Sequence, residues 1–261
     1  MAPGLAALVV TACLASLGTW QMRRLAWKED LNATIAARTA LPPAEAPALG
    51  TSPAAEEIDF RPVRLAGRFL PGMEAHVFAT LGEPRGRYGG PGLWVMAPFE
   101  RADGSIVWID RGFVPGDRTS AEARGERGMP EPQTLEGLAR RPEPRGSLTP
   151  ADDVKRNLFF VRDPAALSAA FGLDPARTAP FTVDLFAAHT PAGGLPQAGE
   201  TRLVFENRHL GYAITWYGLA ATCVGVFAAW GWRTRKEHRA ERRIPLRPAP
   251  SLRRGAHRAG E

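Results

Sequence analysis

The side chains able to ligate a metal or move protons here are five histidines, two cysteines and 27 carboxylates in a chain of 261 residues. His209 stands apart from the rest. It directly precedes Leu210 to Trp232, 23 residues without a formal charge. On a helix it shares one stripe with Tyr212, Trp216, Ala220 and Cys223, so an imidazole, two ring faces and small residues line one side. Two readings of that stripe stand on residue types alone. The imidazole is a strong transition-metal ligand beside an apolar wall, or His209, Tyr212 and Trp216 form an interfacial belt that anchors the helix. His76 alternates with its neighbours as a strand-edge residue would, His189 falls in a loop, and His238 and His257 lie in a charged tail.

The other familiar chemistries lack their motifs. There is no Gly-x-Ser-x-Gly elbow, His-Glu-x-x-His helix or Gly-x-x-x-x-Gly-Lys loop, so the sequence reads as a non-enzyme. Gly89-Gly90-Pro91-Gly92 has no lysine after it, and Asp152-Asp153 are adjacent in a loop rather than opposed as an acid/base pair. Cys13 and Cys223 both sit in the apolar ends, which excludes a disulfide framework or a Cys-rich zinc site between them. Phe159-Phe160 reads as core.

The elements that would position His209 follow from hydropathy. Met1 to Met22 is a second uncharged run, and each run is long enough to cross a bilayer. A cleaved signal peptide is the alternative for residues 1–20, although the apolar run continues through Leu17 and Trp20 without a clear processing site. Thr11, Ala15 and Thr19 in the first span, and Ala221, Gly225 and Ala229 in the second, suggest small faces for close helix packing. Net charge is +6, but residues 233–261 hold ten Lys/Arg against three Glu, so residues 1–232 sum to −1. A near-neutral insert argues against nucleic acid as a partner. The basic tail places the C-terminus in the cytoplasm, and with two spans the N-terminus joins it and the insert is exported. Arg23, Arg24 and Lys28 oppose this weakly, and the bare N-terminus leaves room for a start codon further upstream.

Along the chain, residues 1–22 form the first span and 23–40 a helix leaving the membrane. Residues 41–57, rich in Pro and Ala, read as an extended, protease-sensitive linker. Residues 58–208 form the exported domain, 209–232 the second span and 233–261 the tail. Within the domain, strands are expected at Phe60 to Leu70, Glu74 to Leu81, Leu93 to Phe99, Ser105 to Val114, Thr134 to Ala139, Asn157 to Val161, Phe181 to Phe186 and Thr201 to Phe205. A hairpin turn lies at Arg101–Gly104, and Asp163 caps a helix from Pro164 to Phe171. The fold class is two transmembrane α-helices flanking an exported α+β domain, mainly antiparallel β, as a small barrel or mixed sheet. Gly112 marks a bulge or close backbone approach, and Arg111 is expected to bridge a carboxylate such as Asp110 or to meet a partner.

Four groups of residues together resemble the surfeit locus protein 1 family over about residues 14–232. They are Leu17-Gly18-Thr19-Trp20-Gln21 with Arg24, Trp27 and Lys28; Arg61-Pro62-Val63 with Gly67 and Phe69; Asp110-Arg111-Gly112-Phe113-Val114-Pro115; and Gly193-Gly194 through Thr201-Arg202 to Asn207-x-His209-Leu210-x-Tyr212-Ala213-x-Thr215-Trp216-Tyr217-Gly218-Leu219-Ala220. Arg156-Asn157 and Arg162-Asp163 fit as well. The short N-terminus, the charged stretch Gly116 to Pro132 and the long basic tail depart from the family pattern.

The resemblance implies a non-enzymatic assembly factor for cytochrome c oxidase in the bacterial inner membrane, with its domain in the periplasm. It implies haem a as a transient ligand at His209 and the oxidase's catalytic subunit as partner, with the haem a synthesis machinery a further one. Tyr212 and Trp216 would then supply porphyrin walls, and Arg208 with Arg24 or Arg23 would meet the propionates. A module that stabilises an oxidase subunit without touching haem is the alternative.

Overall fold

The computed structural model describes residues 2–51, 55–126 and 132–241. The tail beyond 241 and part of the charged stretch before Pro132 lie outside them. The chain divides into two compact units, one holding the residues up to Glu29 and from Glu206 onward, the other Asp30–Phe205.

The first unit is a helix pair, built from helix α1 (Ala2–Thr39, whose last turns belong to the second unit) and a C-terminal helix, His209–Glu241. Both are long and apolar enough to cross a membrane. Their least exposed residues recur at alternating steps of three and four: Ala7, Thr11, Leu14, Gly18, Gln21, Leu25 and Lys28 against His209, Ala213, Trp216, Ala220, Cys223 and Phe227. That 3.5-residue period keeps a seam between two packed helices. The expected small faces are only partly in it. Thr11 and Ala15 are half-buried, while Thr19, Ala221, Gly225 and Ala229 are exposed. A strict four-residue repeat advances about 40° per step around a 3.6-residue helix and rotates out of contact. Gly18 sits tightly against the facing helix: a Cβ there would stand 2.9 Å from the Tyr217 ring.

In the second unit, strands β1 (Ala44–Glu45), β2 (Arg61–Phe69), β3 (Ala75–Leu81), β4 (Gly90–Arg101), β5 (Ile106–Pro115), β6 (Gln133–Arg140), β7 (Leu158–Phe159) and β8 (Thr178–Leu185) form one mixed sheet in the order β1-β2-β6-β8-β5-β4-β3-β7. β1–β2, β3–β7 and β5–β8 run parallel; the other pairs are antiparallel. The sheet curls until Gly67–Phe69 of β2 meets Phe99–Arg101 of β4. These three residue pairs are the only pairing between the two strands, so the sheet is curled rather than a fully closed barrel. Alternation along the strands sends Val63, Leu65, Phe69, Phe99, Val107, Ile109, Leu135, Phe181 and Val183 to the inside of the curl. The opposite face of β5 carries Trp108 against helix α3 (Pro164–Ala170). Trp108 Nε1 donates to Ser168 Oγ at 2.9 Å, and Asp163 caps α3 by accepting from Ala165 and Ala166 N–H.

Two expectations change. Thr201 to Phe205 is extended, with alternating exposure, but joins no ladder; side chains hold it instead, Thr201 Oγ1 to Asp184 and Phe205 N–H to Asn32. Residues 41–57 contain β1 and a short helix, α2 (Ala55–Ile58), and the Arg101 guanidinium donates to the carbonyls of Ala46 and Pro47.

Gly112 is where a close approach is found. Its φ is +130°, and a Cβ would stand 2.4 Å from the backbone of Gln197, which pairs with Phe113 through two 2.8 Å hydrogen bonds. Gly112→Ala is therefore expected to destabilise the domain by roughly 2–5 kcal/mol, the sum of backbone strain and overpacking. Denaturant unfolding followed by tryptophan fluorescence measures it.

Candidate functional site

His209 opens the C-terminal helix, α4 (His209–Glu241), and its ring is held from the facing helix. Nδ1 lies 2.7 Å from Oε1 of Gln21, a buried amide in the seam. The Trp20 ring stands edge-on at 6.5 Å between centroids. Neighbouring contacts fasten this end of the pair: Asn207 Nδ2 donates to Leu25 O at 3.2 Å, Lys28 Nζ to Glu206 O at 3.3 Å, and the Thr19 and Tyr217 hydroxyls meet at 3.0 Å. An oxygen acceptor at Nδ1 requires Nδ1 to carry the proton, which leaves the Nε2 lone pair available. Nε2 makes no hydrogen bond among the described residues.

The other residues named from sequence spread around this point. Trp216 lies half-buried in the seam with Ala220 and Cys223, whereas Tyr212 is exposed on the flank. Arg24 stacks on Trp27, its guanidinium carbon 3.9 Å from the ring centroid, and Arg208 is exposed and pairs with Glu206. The aromatic groups thus offer an open apolar flank rather than a closed pocket. Gln21 was read from sequence only as part of the Leu17–Gln21 motif, without a role at the site. Its signal was a long amide side chain at a seam position between Gly18 and Leu25.

The second constellation is ionic and lies in the curled-sheet unit. Asp110 of β5 and Asp184 of β8 are register partners on adjacent parallel strands and share a face. Arg162 Nη1 reaches both at 3.2 Å while Nη2 donates to Glu143 at 2.6 Å. Arg140 links Asp184 at 3.3 Å to Asp59 at 2.9 Å. Asp110, Arg140, Glu143, Arg162 and Asp184 line a cavity of about 650 Å³ beside Trp94. Burial, followed by the charge of Asp184, pushes the Asp110 carboxyl up to about 7, against the opposing pull of Arg162 and the Gly112 N–H. Burial works against the charge on Arg162, but its carboxylates outweigh that and raise its pKa.

Arg111, the next residue along β5, points the other way, so it bridges Glu126 and Glu74 and not Asp110. Arg124 closes the same network on Glu74 at 2.8 Å and Glu126 at 2.9 Å. Burial opposes ionisation of Glu74, but hydrogen bonds from His76 and Arg124 prevail and hold it below the usual carboxylate range. His76 and His189 have structural partners: His76 Nε2 meets Glu74 at 2.7 Å, and His189 Nε2 accepts the Glu136 N–H at 3.0 Å. Burial pushes the His189 imidazole down, keeping it neutral for that role. Among the described residues no three His, Cys, Asp or Glu side chains converge as a metal site.

Comparison with known proteins agrees with this layout. The model of the SURF1 family matches residues 8–221. Surfeit locus protein 1 of Xenopus tropicalis is 32% identical over 226 residues, covering 82% of this chain and 71% of the relative. The human protein of the same name is 31% identical, with 82% and 72% covered, and a SURF1-like protein of Monosiga brevicollis is 32% identical, with 84% and 83% covered. With a match that runs from within α1 through the curled sheet to the first turns of α4, the chain belongs to the SURF1 family.

Proposed function

We propose that this protein is a membrane-anchored assembly factor for cytochrome c oxidase that holds haem a through His209 and supports its placement in the catalytic subunit. The observation that carries the haem role is the His209 ring, tied at Nδ1 by Gln21 and free of hydrogen bonds at Nε2 among the described residues, at one end of an apolar helix pair. Family membership and the resemblance it brings carry the oxidase role.

The donor set fits a haem: one imidazole with its second nitrogen engaged, ring faces at Trp20, Tyr212 and Trp216, and cationic Arg24 and Arg208 for propionates. The bound group would supply only its own redox centre. This chain contributes a nitrogen donor, an apolar flank and counter-charges. An open flank with a single ligand suits a carrier, because release requires breaking one metal bond. The topology proposed with it puts both termini in the cytoplasm and residues 58–208 in the periplasm of a bacterial inner membrane, following the +7 tail. The haem a synthesis machinery is a natural donor.

The test is the absorption spectrum of the detergent-purified protein from cells that make haem a. A stoichiometric Soret band is expected. A colourless protein that still binds oxidase subunits would establish the second reading, a structural module that never touches haem.

A further inference from the structure

We propose that Gln21 is the positioning residue of the His209 site, setting the imidazole tautomer so that Nε2 is the ligating atom. The haem half of this inference rests on the function proposed above; the tautomer half does not. An amide oxygen can only accept, and Gln21 Oε1 lies 2.7 Å from Nδ1, so the proton belongs on Nδ1. An unconstrained imidazole in water favours the opposite form, with its proton on Nε2, where it would block that nitrogen.

Gln21 is well placed to impose the change. It is 9% exposed and packed at the helix seam, one turn from Gly18, which leaves no room for a Cβ against the Tyr217 ring. The seam contacts at Asn207, Lys28 and Tyr217 hold the two helices in the register that brings amide and imidazole together. Trp20 stands edge-on to the ring, with an 82° angle between the two planes, and restricts its rotation. A hydrogen bond to the non-ligating nitrogen also raises the donor strength of the other, and losing such a contact typically lowers metal affinity about 10–100-fold.

The experiment uses the full-length, haem-free protein in detergent micelles with ¹⁵N-labelled histidine. Long-range proton–nitrogen spectra read the tautomer, His209→Ala assigns the signal, and hemin (ferric protoporphyrin IX) is the titrated probe. Wild type is expected to show Nδ1–H with an unprotonated Nε2. Gln21→Leu should shift the ring toward Nε2–H and weaken hemin binding about 10–100-fold. Gln21→Glu, which keeps an oxygen acceptor and nearly the same shape, should retain both the tautomer and the binding, and it keeps the proposal testable if the leucine variant misfolds. An Nε2–H wild type, or a Gln21→Leu protein unchanged in tautomer and affinity, overturns the positioning role. A wild-type tautomer as expected, with hemin bound equally well by His209→Ala, leaves the tautomer assignment standing and overturns the haem reading alone.

Discussion

His209→Ala is expected to remove the haem spectrum from the purified protein while leaving membrane insertion intact. Deleting the imidazole removes the proposed metal bond, and affinity should fall by more than the ~100-fold typical of losing an outer-shell contact. Insertion depends on the apolar run after it, to whose sum one terminal side chain adds little. The aromatic variants should rank below it for different reasons. Tyr212 is exposed on the flank, so Tyr212→Ala removes wall contact only. Trp216 is half-buried in the seam, so Trp216→Ala also loosens the helix pair. His76→Ala and His189→Ala should keep wild-type haem content, since Glu74 and the Glu136 N–H engage those rings within the curled-sheet unit. A haem content unchanged in His209→Ala would return the motif to a membrane anchor.

Arg162→Met is expected to be the most damaging single change in the curled-sheet unit, at about 3–5 kcal/mol, because it strands Asp110, Asp184 and Glu143 without their shared cation. Asp110 gives this cluster a pH signature. Folded, its carboxyl keeps a proton up to about pH 7, whereas in the unfolded chain it loses that proton near 4. The native state is therefore the better proton binder between those values. The stability this group contributes is complete below about pH 4 and is lost as pH rises through about 7. Asp110→Asn cannot ionise and removes that slope, so its stability relative to wild type should rise between about pH 4 and 7 and level off above. Urea unfolding at a series of pH values, followed by tryptophan fluorescence in micelles, checks both variants. A pH-independent difference for Asp110→Asn would mean that Asp110 is ionised throughout. A loss below ~1 kcal/mol for Arg162→Met would mean that the carboxylates are not desolvated.

Much of the local structure could be read without coordinates because its causes are local. Asp163 before Pro164 is a cap followed by a residue already set for a first helical turn, and that helix forms where expected. Asp103-Gly104 turns the hairpin because the aspartate accepts from Ser105 while glycine takes φ +79°. Apolar length revealed both long helices. The strand expected at Thr201 to Phe205 shows the limit: alternation was present and is visible in the burial, but no neighbouring strand pairs with it.

By itself the sequence determined the two apolar helices, most strands, the capped helix and, through its motifs, the family. Only the tertiary structure decided which side chains meet. Asp110 and Asp184 become neighbours because β5 and β8 pair in parallel, a choice made by the packing of the whole sheet that no window of residues encodes. Asp110 and Arg111 are adjacent in sequence yet belong to separate ion networks, since a strand sends successive side chains to opposite faces. Gln21 reaches His209 only because the helix seam follows a 3.5-residue period that brings position 21 opposite position 209. Helix and strand are written in short-range periodicity. Contacts between distant positions depend on register, and register is set by the sum of many weak packing terms across the assembled fold.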